Sequence, residues 1–161
     1  TRPSREGERD GHDYYFLSRE AFEQKVSNGE FLEYAEVHGN FYGTLKTEVL
    51  NHLAVGTDVV MDIDVQGADQ VRDCDDTSIQ AALVDLFVMP QTEDELLKRL
   101  TGRGSDAQEV IELRMKNALG EIDNWPKYTY RLLSDTREQD YHQFKSLIIA
   151  ERLKVSRLKN L

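Results

Sequence analysis

Apolar residues recur along this chain at two different spacings, and the changes between them predict alternating helices and strands. A spacing of three or four residues is typical of a helix with one buried face, whereas alternation or a short continuous apolar run is typical of a strand. The helical spacing covers residues 18–28, 45–55, 66–73, 92–101, 106–124 and 136–158. The strand patterns cover residues 14–17, 31–37, 41–42, 58–63, 81–89 and 128–133.

The order of these elements predicts an α/β protein. Strands that alternate with helices favour a mainly parallel sheet with helices on both faces. Ser18, Thr92 and Thr136 precede three of the helices and are suited to cap them. Residues 14–44 depart from the alternation, because they read as a small and mostly β excursion with a turn signal at Gly39-Asn40.

The run V-M-D-I-D-V-Q-G at residues 60–67 carries the first chemical signal. Asp62 and Asp64 are two residues apart, so on a strand they point to the same face. In open α/β sheets, ligands bind at the carboxyl ends of the strands. The two acids therefore suit a nucleotide base, a phosphate-bound metal, or both, although a strand end that merely turns polar would look the same.

Composition narrows the class of protein. A chain of 161 residues with 39% hydrophobic and 31% charged residues fits one soluble globular domain. The net charge of −10 argues against general nucleic-acid binding, which needs a basic face. One cysteine, Cys74, rules out an internal disulfide framework, and the chain has neither a long apolar run nor an N-terminal signal pattern. We therefore expect a cytoplasmic protein without a membrane partner.

Four further segments add to the acidic run. They read T-R-P-S-R-E-G-E at residues 1–8, D-G-H-D-Y-Y-F at 10–16, G-E-F-L-E-Y-A-E-V-H-G-N-F-Y-G-T at 29–44 and R-L-T-G-R-G-S-D at 99–106. In this order and at these spacings, the five segments resemble the guanylate kinase family, which phosphorylates GMP to GDP with ATP. The resemblance covers nearly the whole chain, from residue 1 to about residue 149.

The resemblance implies a fold and a division of the chain. It implies a P-loop kinase-like α/β domain over residues 1–161, with a GMP-binding subdomain at 10–44, a short lid region at 99–114 and a core formed by 45–98 and 115–161. The family's phosphate loop, G-x-x-x-x-G-K-[ST], does not occur in these 161 residues. The resemblance therefore leads us to expect that segment upstream of residue 1.

The resemblance also implies a GMP site. Its phosphate would be held by two arginines and two tyrosine hydroxyls, at Arg2, Arg5, Tyr14 and Tyr42. The planar guanidinium fork suits bidentate contact with phosphate. Its guanine would be read by Glu33, Thr44 and Asp64, since a carboxylate accepts both donors on the guanine edge. Taken alone, the arginines would read as solvated surface and the tyrosines as half-buried packing residues.

The transfer machinery is implied in the same way. Arg99 and Arg103 would belong to the lid, and with Arg114 they would meet the ATP phosphates as catalytic residues. Asp62 would act near those phosphates and the Mg²⁺ that accompanies ATP, through water rather than as a direct ligand. Ser134 stands where the family commonly has Asn near adenine, so no adenine contact is assigned to it. Taken alone, Arg99 and Arg103 would read as cations at a helix end.

Two function classes remain distinct at this stage. The leading one is an ATP:GMP phosphotransferase that acts on GMP and ATP, with a homo-oligomer as an open possibility. The alternative is a non-catalytic guanylate-kinase-like module that binds a protein partner in the GMP cleft. Such modules tend to lose their catalytic arginines, and the retention of Arg99, Arg103 and Arg114 favours the enzyme. Glu33 with Asp64 argues against a nucleoside monophosphate kinase of another base preference.

Overall fold

A computed structural model describes residues 1–102 and 108–158 of the chain. The chain divides into two compact units, Thr1–Leu83 and Val84–Leu161. Within the described residues, no helix is long and apolar enough to cross a membrane. Each unit has its own two-stranded sheet.

Unit 1, Thr1–Leu83, is built around an antiparallel hairpin. Its elements are α1 (Arg19–Ser27), β1 (Phe31–Val37), β2 (Asn40–Leu45), α2 (Lys46–Ala54), α3 (Val65–Arg72) and α4 (Thr77–Ala82). Helix α3 packs on β1, and α2 packs on α4 and β2. The core consists of the buried residues Leu32, Val49, Val71 and Ile79 with half-buried apolar neighbours around them.

Unit 2, Val84–Leu161, has a parallel pair of strands. Its elements are β3 (Leu86–Pro90), α5 (Glu93–Thr101), α6 (Gln108–Ile122), β4 (Tyr130–Ser134) and α7 (Arg137–Arg152), with 3₁₀ turns at Trp125–Lys127 and Val155–Arg157. Strands β3 and β4 pair in parallel from Leu86 opposite Tyr130 to Pro90 opposite Ser134. Helix α7 packs on β4, and α5 packs on β3 and α6.

The predicted helix caps are confirmed. The Ser18 hydroxyl accepts from the Ala21 backbone N–H at 3.2 Å, and Thr92 and Thr136 accept from the third residue of their helices in the same way. A side-chain oxygen at this position satisfies one of the backbone donors that a helix start leaves unpaired. These local hydrogen bonds explain why α1, α5 and α7 begin where the sequence predicts.

The strand predicted at residues 58–63 is wrong, because no strand pairing is recorded there. The side chains nevertheless alternate as on a strand. Val59, Met61 and Ile63 pack against the core of unit 1, whereas Val60 and Asp62 are exposed. Burial of every second residue is a property of an extended chain and does not need a partner, whereas a strand is defined by a hydrogen-bonded neighbour.

The strand predicted at residues 81–89 begins too early. Asp76 accepts from the backbone N–H groups of Ser78 and Ile79, and this cap starts α4, which takes in Ala81 and Ala82. Strand β3 begins only at Leu86. The continuous apolar run could not separate the end of a helix from the start of a buried strand.

Smaller differences concern three other segments. Residues 14–17 form no strand, only an isolated bridge between Asp10 and Tyr14. The hairpin turn falls on His38 and Gly39, and Asn40 already belongs to β2. The last helix ends at Arg152 rather than near residue 158. The start of the helix predicted at Asp106 lies outside the described residues.

The fold class is therefore an α/β fold, with a parallel and an antiparallel pair of strands among the described residues. The larger parallel sheet that the sequence predicts is not recorded in residues 1–102 and 108–158.

Candidate functional site

A cavity in unit 1 gathers six of the side chains that the sequence singles out. Its lining includes Arg2, Tyr14, Glu33, Tyr42, Thr44 and Asp62. Its volume is about 480 Å³, which falls in the range of roughly 300–1,000 Å³ that small-molecule sites occupy. Residues far apart in sequence thus line one concave site.

The acidic end of the cavity is built on the hairpin. Glu33 on β1 lies opposite Thr44 on β2, and the Thr44 hydroxyl donates to Glu33 Oε1 at 2.6 Å. Glu33 is buried, with 8% of its surface exposed. A buried carboxylate needs hydrogen-bond donors, and Thr44 supplies one on one oxygen only. The other oxygen, Oε2, can accept from a ligand.

A β-bulge explains how Glu33 comes to be buried. Phe31 pairs with Leu45 but Glu33 pairs with Thr44, so β1 contains one residue more than β2 at Leu32. As a result three consecutive residues, from Phe31 to Glu33, are buried, where strict alternation would expose one of them. Bulges re-aim side chains in this way and are common beside active sites.

Helix α3 brings Asp64 toward the same place. Asp64 caps α3, and its Oδ1 accepts from the Gly67 N–H at 2.8 Å. A Cβ atom added at Gly67 would lie 3.3 Å from Glu33 Oε2 and 3.5 Å from Asp64 Oδ1. Glycine at this position therefore leaves room for two carboxylates that converge at the helix N-terminus, although Asp64 does not itself line the cavity.

Gln70 ties α3 to β1 and was missed by the sequence reasoning. Its Oε1 accepts from the Tyr34 N–H at 3.1 Å, and its Nε2 donates to the Tyr34 carbonyl at 3.0 Å. The side-chain amide thus pairs with the strand backbone as a neighbouring strand would. Tyr34 follows Glu33, so this clamp sets where Glu33 stands relative to α3. A glutamine on a helix carries no signal in sequence that would distinguish it from a surface residue.

The basic end of the cavity contains Arg2. Its guanidinium lies 5.2 Å from the centre of the Tyr14 ring and 5.7 Å from that of Phe16. Both of its Nη atoms donate to Glu8, a residue that the sequence reasoning did not single out. The hydrogen bond with Glu8 raises the pKa of Arg2, and the Tyr42 hydroxyl acts in the same direction. Arg5 is exposed and does not line the cavity.

The two ends are held apart by β2. Tyr42 and Thr44 are two residues apart on this strand, so their side chains share one face at a spacing of about 7 Å. Tyr42 interacts with Arg2, and Thr44 with Glu33. The cavity can therefore accept a ligand that carries an anion at one end and hydrogen-bond donors at the other.

The arginines predicted to meet ATP belong to unit 2. Arg99 is on α5 and donates to the Ser134 hydroxyl at 3.0 Å, besides forming an ion pair with Glu95. Ser134 is buried and donates in turn to Asp140 at 2.7 Å. Arg114 is half-buried on α6. Arg103 lies outside the described residues.

Ser134 thus has a structural partner on each side. The pKa of Asp140 is lowered by the hydrogen bond from the Asp135 N–H, by the one from Ser134 and by the charge of Arg99. Asp140 therefore stays ionised at neutral pH and connects α7, β4 and α5 through Ser134. The sequence does not predict this network, because its members Arg99, Ser134 and Asp140 lie on three separate elements.

The carboxylates that line the cavity determine which metal ion could bind there. Within the described ranges, no group of three or more His, Cys, Asp or Glu side chains could hold a metal ion by itself. Asp62 is exposed and lines the cavity, so one carboxylate is accessible there. This donor set fits Mg²⁺, which usually keeps several waters and takes one or two carboxylates together with substrate phosphates.

The chain is similar in sequence to proteins of one enzyme family. The family described as guanylate kinase matches residues 1–151. The guanylate kinase of Brucella melitensis is 44% identical over 161 residues, which cover 100% of this chain and 71% of that protein. The guanylate kinase of Hahella chejuensis is 42% identical over 156 residues, covering 97% of this chain and 73% of that protein.

A solved structure supports the fold. The crystal structure of guanylate kinase from Anaplasma phagocytophilum matches with a TM-score of 0.74 at 32% identity, and covers 98% of this chain and 74% of that chain. This similarity places the chain among α/β proteins with the fold of guanylate kinases. With a family match over most of its length, the chain belongs to the guanylate kinase family.

Proposed function

We propose that this chain transfers the γ-phosphoryl group of ATP to GMP, giving GDP and ADP. The observation that carries the proposal is the cavity of unit 1. Arg2 lies with Tyr14 and Tyr42 at one end, and Glu33 forms a hydrogen bond with Thr44 at the other. Relatives that match 97% and 100% of the chain and bear the name guanylate kinase support it. The alternative, a non-catalytic protein-binding module, is not favoured by these relatives.

Guanine would be read by Glu33, Thr44 and Asp64. Guanine presents an N1–H and an amine on one edge, and a carboxylate accepts from both, whereas adenine has no N1–H. The Oε2 atom of Glu33 is available for this, since Thr44 occupies Oε1. A buried acceptor left unpaired by the wrong base makes the discrimination strong.

The GMP phosphate would be held by Arg2, Arg5, Tyr14 and Tyr42. Arg2 lies over the Tyr14 ring and interacts with Tyr42, which supports a single phosphate pocket formed by the three. The exposed Arg5 would complete it when the nucleotide enters. Tyrosine hydroxyls add neutral donors to the charged ones, and charge-assisted bonds to phosphate are the stronger of the two.

Transfer would depend on Arg99, Arg103 and Arg114, with Asp62 at the metal. Phosphoryl transfer needs mainly positioning and charge neutralisation, which arginines supply at the phosphate oxygens. Bound Mg²⁺ would neutralise phosphate charge, and Asp62 would hold it through a water molecule. The hydrogen bond from Arg99 to Ser134 supports a role for Ser134 in orienting that arginine.

We propose that three parts of the chain have separate roles, as the sequence motifs suggest. Residues 10–44 would form the GMP-binding subdomain, residues 99–114 the lid, and residues 45–98 and 115–161 the core. We also propose that the core forms a mainly parallel sheet with helices on both faces. The parallel pairing of β3 with β4 supports it.

The proposal is tested by base preference. The parent protein for this test is the full protein with the expected upstream phosphate loop. Its turnover of GMP and of AMP is measured with ATP and Mg²⁺, together with that of Glu33→Gln and of Glu36→Gln, a change at an exposed glutamate on the same strand. We expect the parent to prefer GMP, and Glu33→Gln to lose about tenfold or more in kcat/KM for GMP with a smaller change for AMP. Absence of turnover in the parent protein, or equal effects of the two variants, would contradict the proposal.

A further inference from the structure

We propose that Glu8 is a positioning residue for the phosphate-binding arginines, and that its carboxylate sets which edge of Arg2 is offered to the ligand. The inference rests on the proposed role of Arg2 in holding the GMP phosphate. It begins from a contact that neither the sequence motifs nor the family match assigns. The Arg2 Nη1 and Nη2 atoms donate to the two oxygens of Glu8 at 2.7 and 2.6 Å.

The geometry of the guanidinium makes this contact informative. Arginine has five N–H donors in a fixed plane. Glu8 takes one donor from each Nη atom, and the Pro3 carbonyl accepts from Nη1 at 2.9 Å. Glu8 and Pro3 leave the Nε–H and the second Nη2–H, which point in the same direction and form the side fork. The Tyr42 hydroxyl also interacts with this guanidinium. Arg2 therefore retains one edge that can bind a phosphate with two parallel hydrogen bonds.

The surroundings of Arg2 fix the plane of this fork. Its guanidinium lies over the rings of Tyr14 and Phe16, and its side chain is only 13% exposed. With both Nη atoms tied to Glu8, rotation about the last side-chain bonds would break two charge-assisted hydrogen bonds. Binding of a phosphate then requires little further ordering of Arg2, and such pre-organisation favours affinity.

Glu8 is itself held by a turn that involves the second arginine. Its N–H donates to the Arg5 carbonyl at 3.1 Å, and its Oε2 accepts from the Arg5 N–H at 2.7 Å. Gly7 within this turn has a φ of 88°, which a glycine adopts without strain. Glu8 thus binds the side chain of Arg2 and the backbone of Arg5. These contacts give a physical reason for the spacing R-x-x-R-x-G-E, because each of its four specified residues takes part in the turn or in its hydrogen bonds.

A carboxylate beside a phosphate site has an opposing effect, because its charge repels the phosphate. The hydrogen bond from Arg2 and the one from the Arg5 N–H lower the pKa of Glu8 to about 2, so the carboxylate is ionised at all working pH values. Orientation and repulsion therefore predict opposite signs for the removal of this charge. We infer that orientation prevails, since Arg5 adds a second positive charge next to the same turn.

The test compares GMP with guanosine, which lacks only the phosphate. Their dissociation constants are measured by titration calorimetry for the parent protein, Glu8→Gln, Arg2→Ala and the control Glu6→Gln. Glu6 is exposed in the same turn, so its variant removes an equal charge without touching Arg2. We expect Glu8→Gln to weaken GMP binding about tenfold, the effect of one charge-assisted hydrogen bond, and to leave guanosine binding unchanged. Glu6→Gln should not weaken GMP binding.

Each other outcome has a definite meaning. Unchanged or tighter GMP binding by Glu8→Gln, with GMP binding lost in Arg2→Ala, would overturn the positioning role and leave the phosphate site in place. Equal weakening of GMP and guanosine would indicate a general structural role for Glu8 and would also overturn the inference. GMP binding that survives in Arg2→Ala would instead overturn the proposed phosphate site on which the inference rests.

Discussion

The two units of this protein differ in the side chains that they bury. Among the described residues, unit 1 contains most of the buried apolar side chains: Phe22, Phe31, Leu32, Val49, Ala68, Val71 and Ile79. In unit 2, Leu132 is buried together with two polar residues, Ser134 and Glu151. The cavity that gathers the guanine- and phosphate-binding candidates lies in unit 1, and Arg99 and Arg114 belong to unit 2.

The two units also position their candidate functional side chains in different ways. In unit 1, Glu33 follows two buried apolar residues on β1, so its burial depends on apolar packing that changes little with pH. Arg2 in the same unit is an exception, because hydrogen bonds to Glu8 hold it. In unit 2, Arg99 is positioned by hydrogen bonds to Ser134 and through it to the ionised Asp140. Contacts of this kind depend on the protonation state of the partners. The following predictions test this contrast, in order of decreasing effect.

The largest effect is expected in the aromatic cluster of unit 1. Phe22 is buried and stacks on Phe31 and Phe41 at centroid distances of 4.3 and 5.3 Å. Phe22→Ala removes this packing and leaves a cavity, so the free energy of unfolding should fall by about 3–5 kcal/mol. Denaturant unfolding followed by circular dichroism measures it.

Tyr141→Ala is the matched control for the loss of an aromatic ring. Tyr141 is on α7 in unit 2 and is 58% exposed, so its removal should change the free energy of unfolding by no more than about 0.5 kcal/mol. Equal losses in the two variants would mean that the apolar cluster of unit 1 carries no special share of the stability.

A smaller effect is expected at Glu151 in unit 2. Its buried carboxylate accepts from the Tyr130 hydroxyl and forms ion pairs with Lys154 and Arg157. The variant Glu151→Gln removes the charge at nearly constant volume. The free energy of unfolding at pH 7 should fall by about 1–3 kcal/mol, because the two cations lose their partner.

The pH dependence has a definite sign at this residue. The hydrogen bonds from Lys154 and Tyr130 hold the pKa of Glu151 below its ordinary value of 4.5. Its contribution is therefore complete above pH 4.5 and is lost as the pH falls through the lowered pKa. Glu151→Gln should lack this part of the acid dependence, whereas Glu138→Gln, an exposed change on the same helix, should keep it. Identical acid profiles for the two variants would contradict the assignment.

The smallest effect is expected at the clamp between α3 and β1. Gln70→Glu keeps the size of the side chain but replaces the donor to the Tyr34 carbonyl by an oxygen. We expect a loss of about 1 kcal/mol in the free energy of unfolding, together with a weaker preference for GMP over AMP because Glu33 shifts. Gln66→Glu, one turn earlier on the same helix, serves as the control. A base preference equal to that of the control would assign Gln70 a purely structural role.

Much of the fold could be predicted because it is encoded locally. The caps at Ser18, Thr92 and Thr136 and the hairpin depend on residues close together in sequence, and the structure confirms them. The exposure of Asp62 between half-buried Met61 and Ile63 also follows from the alternation of an extended chain. The family itself is recognisable from short motifs, and relatives at 42% and 44% identity confirm it.

Only the tertiary structure decided the remaining features. They either join residues that are distant in sequence or depend on which of several possible partners a residue contacts. The alternation of residues 31–37 does not reveal the bulge at Leu32 that buries Glu33, and the apolar run at 81–89 does not reveal that α4 takes its first residues. Hydrogen bonds from Gln70 to Tyr34 and from Arg99 to Ser134 span 36 and 35 residues. A local sequence pattern specifies which residues face inward. Long-range hydrogen bonds depend instead on how whole helices and strands pack, because that packing determines which polar groups meet.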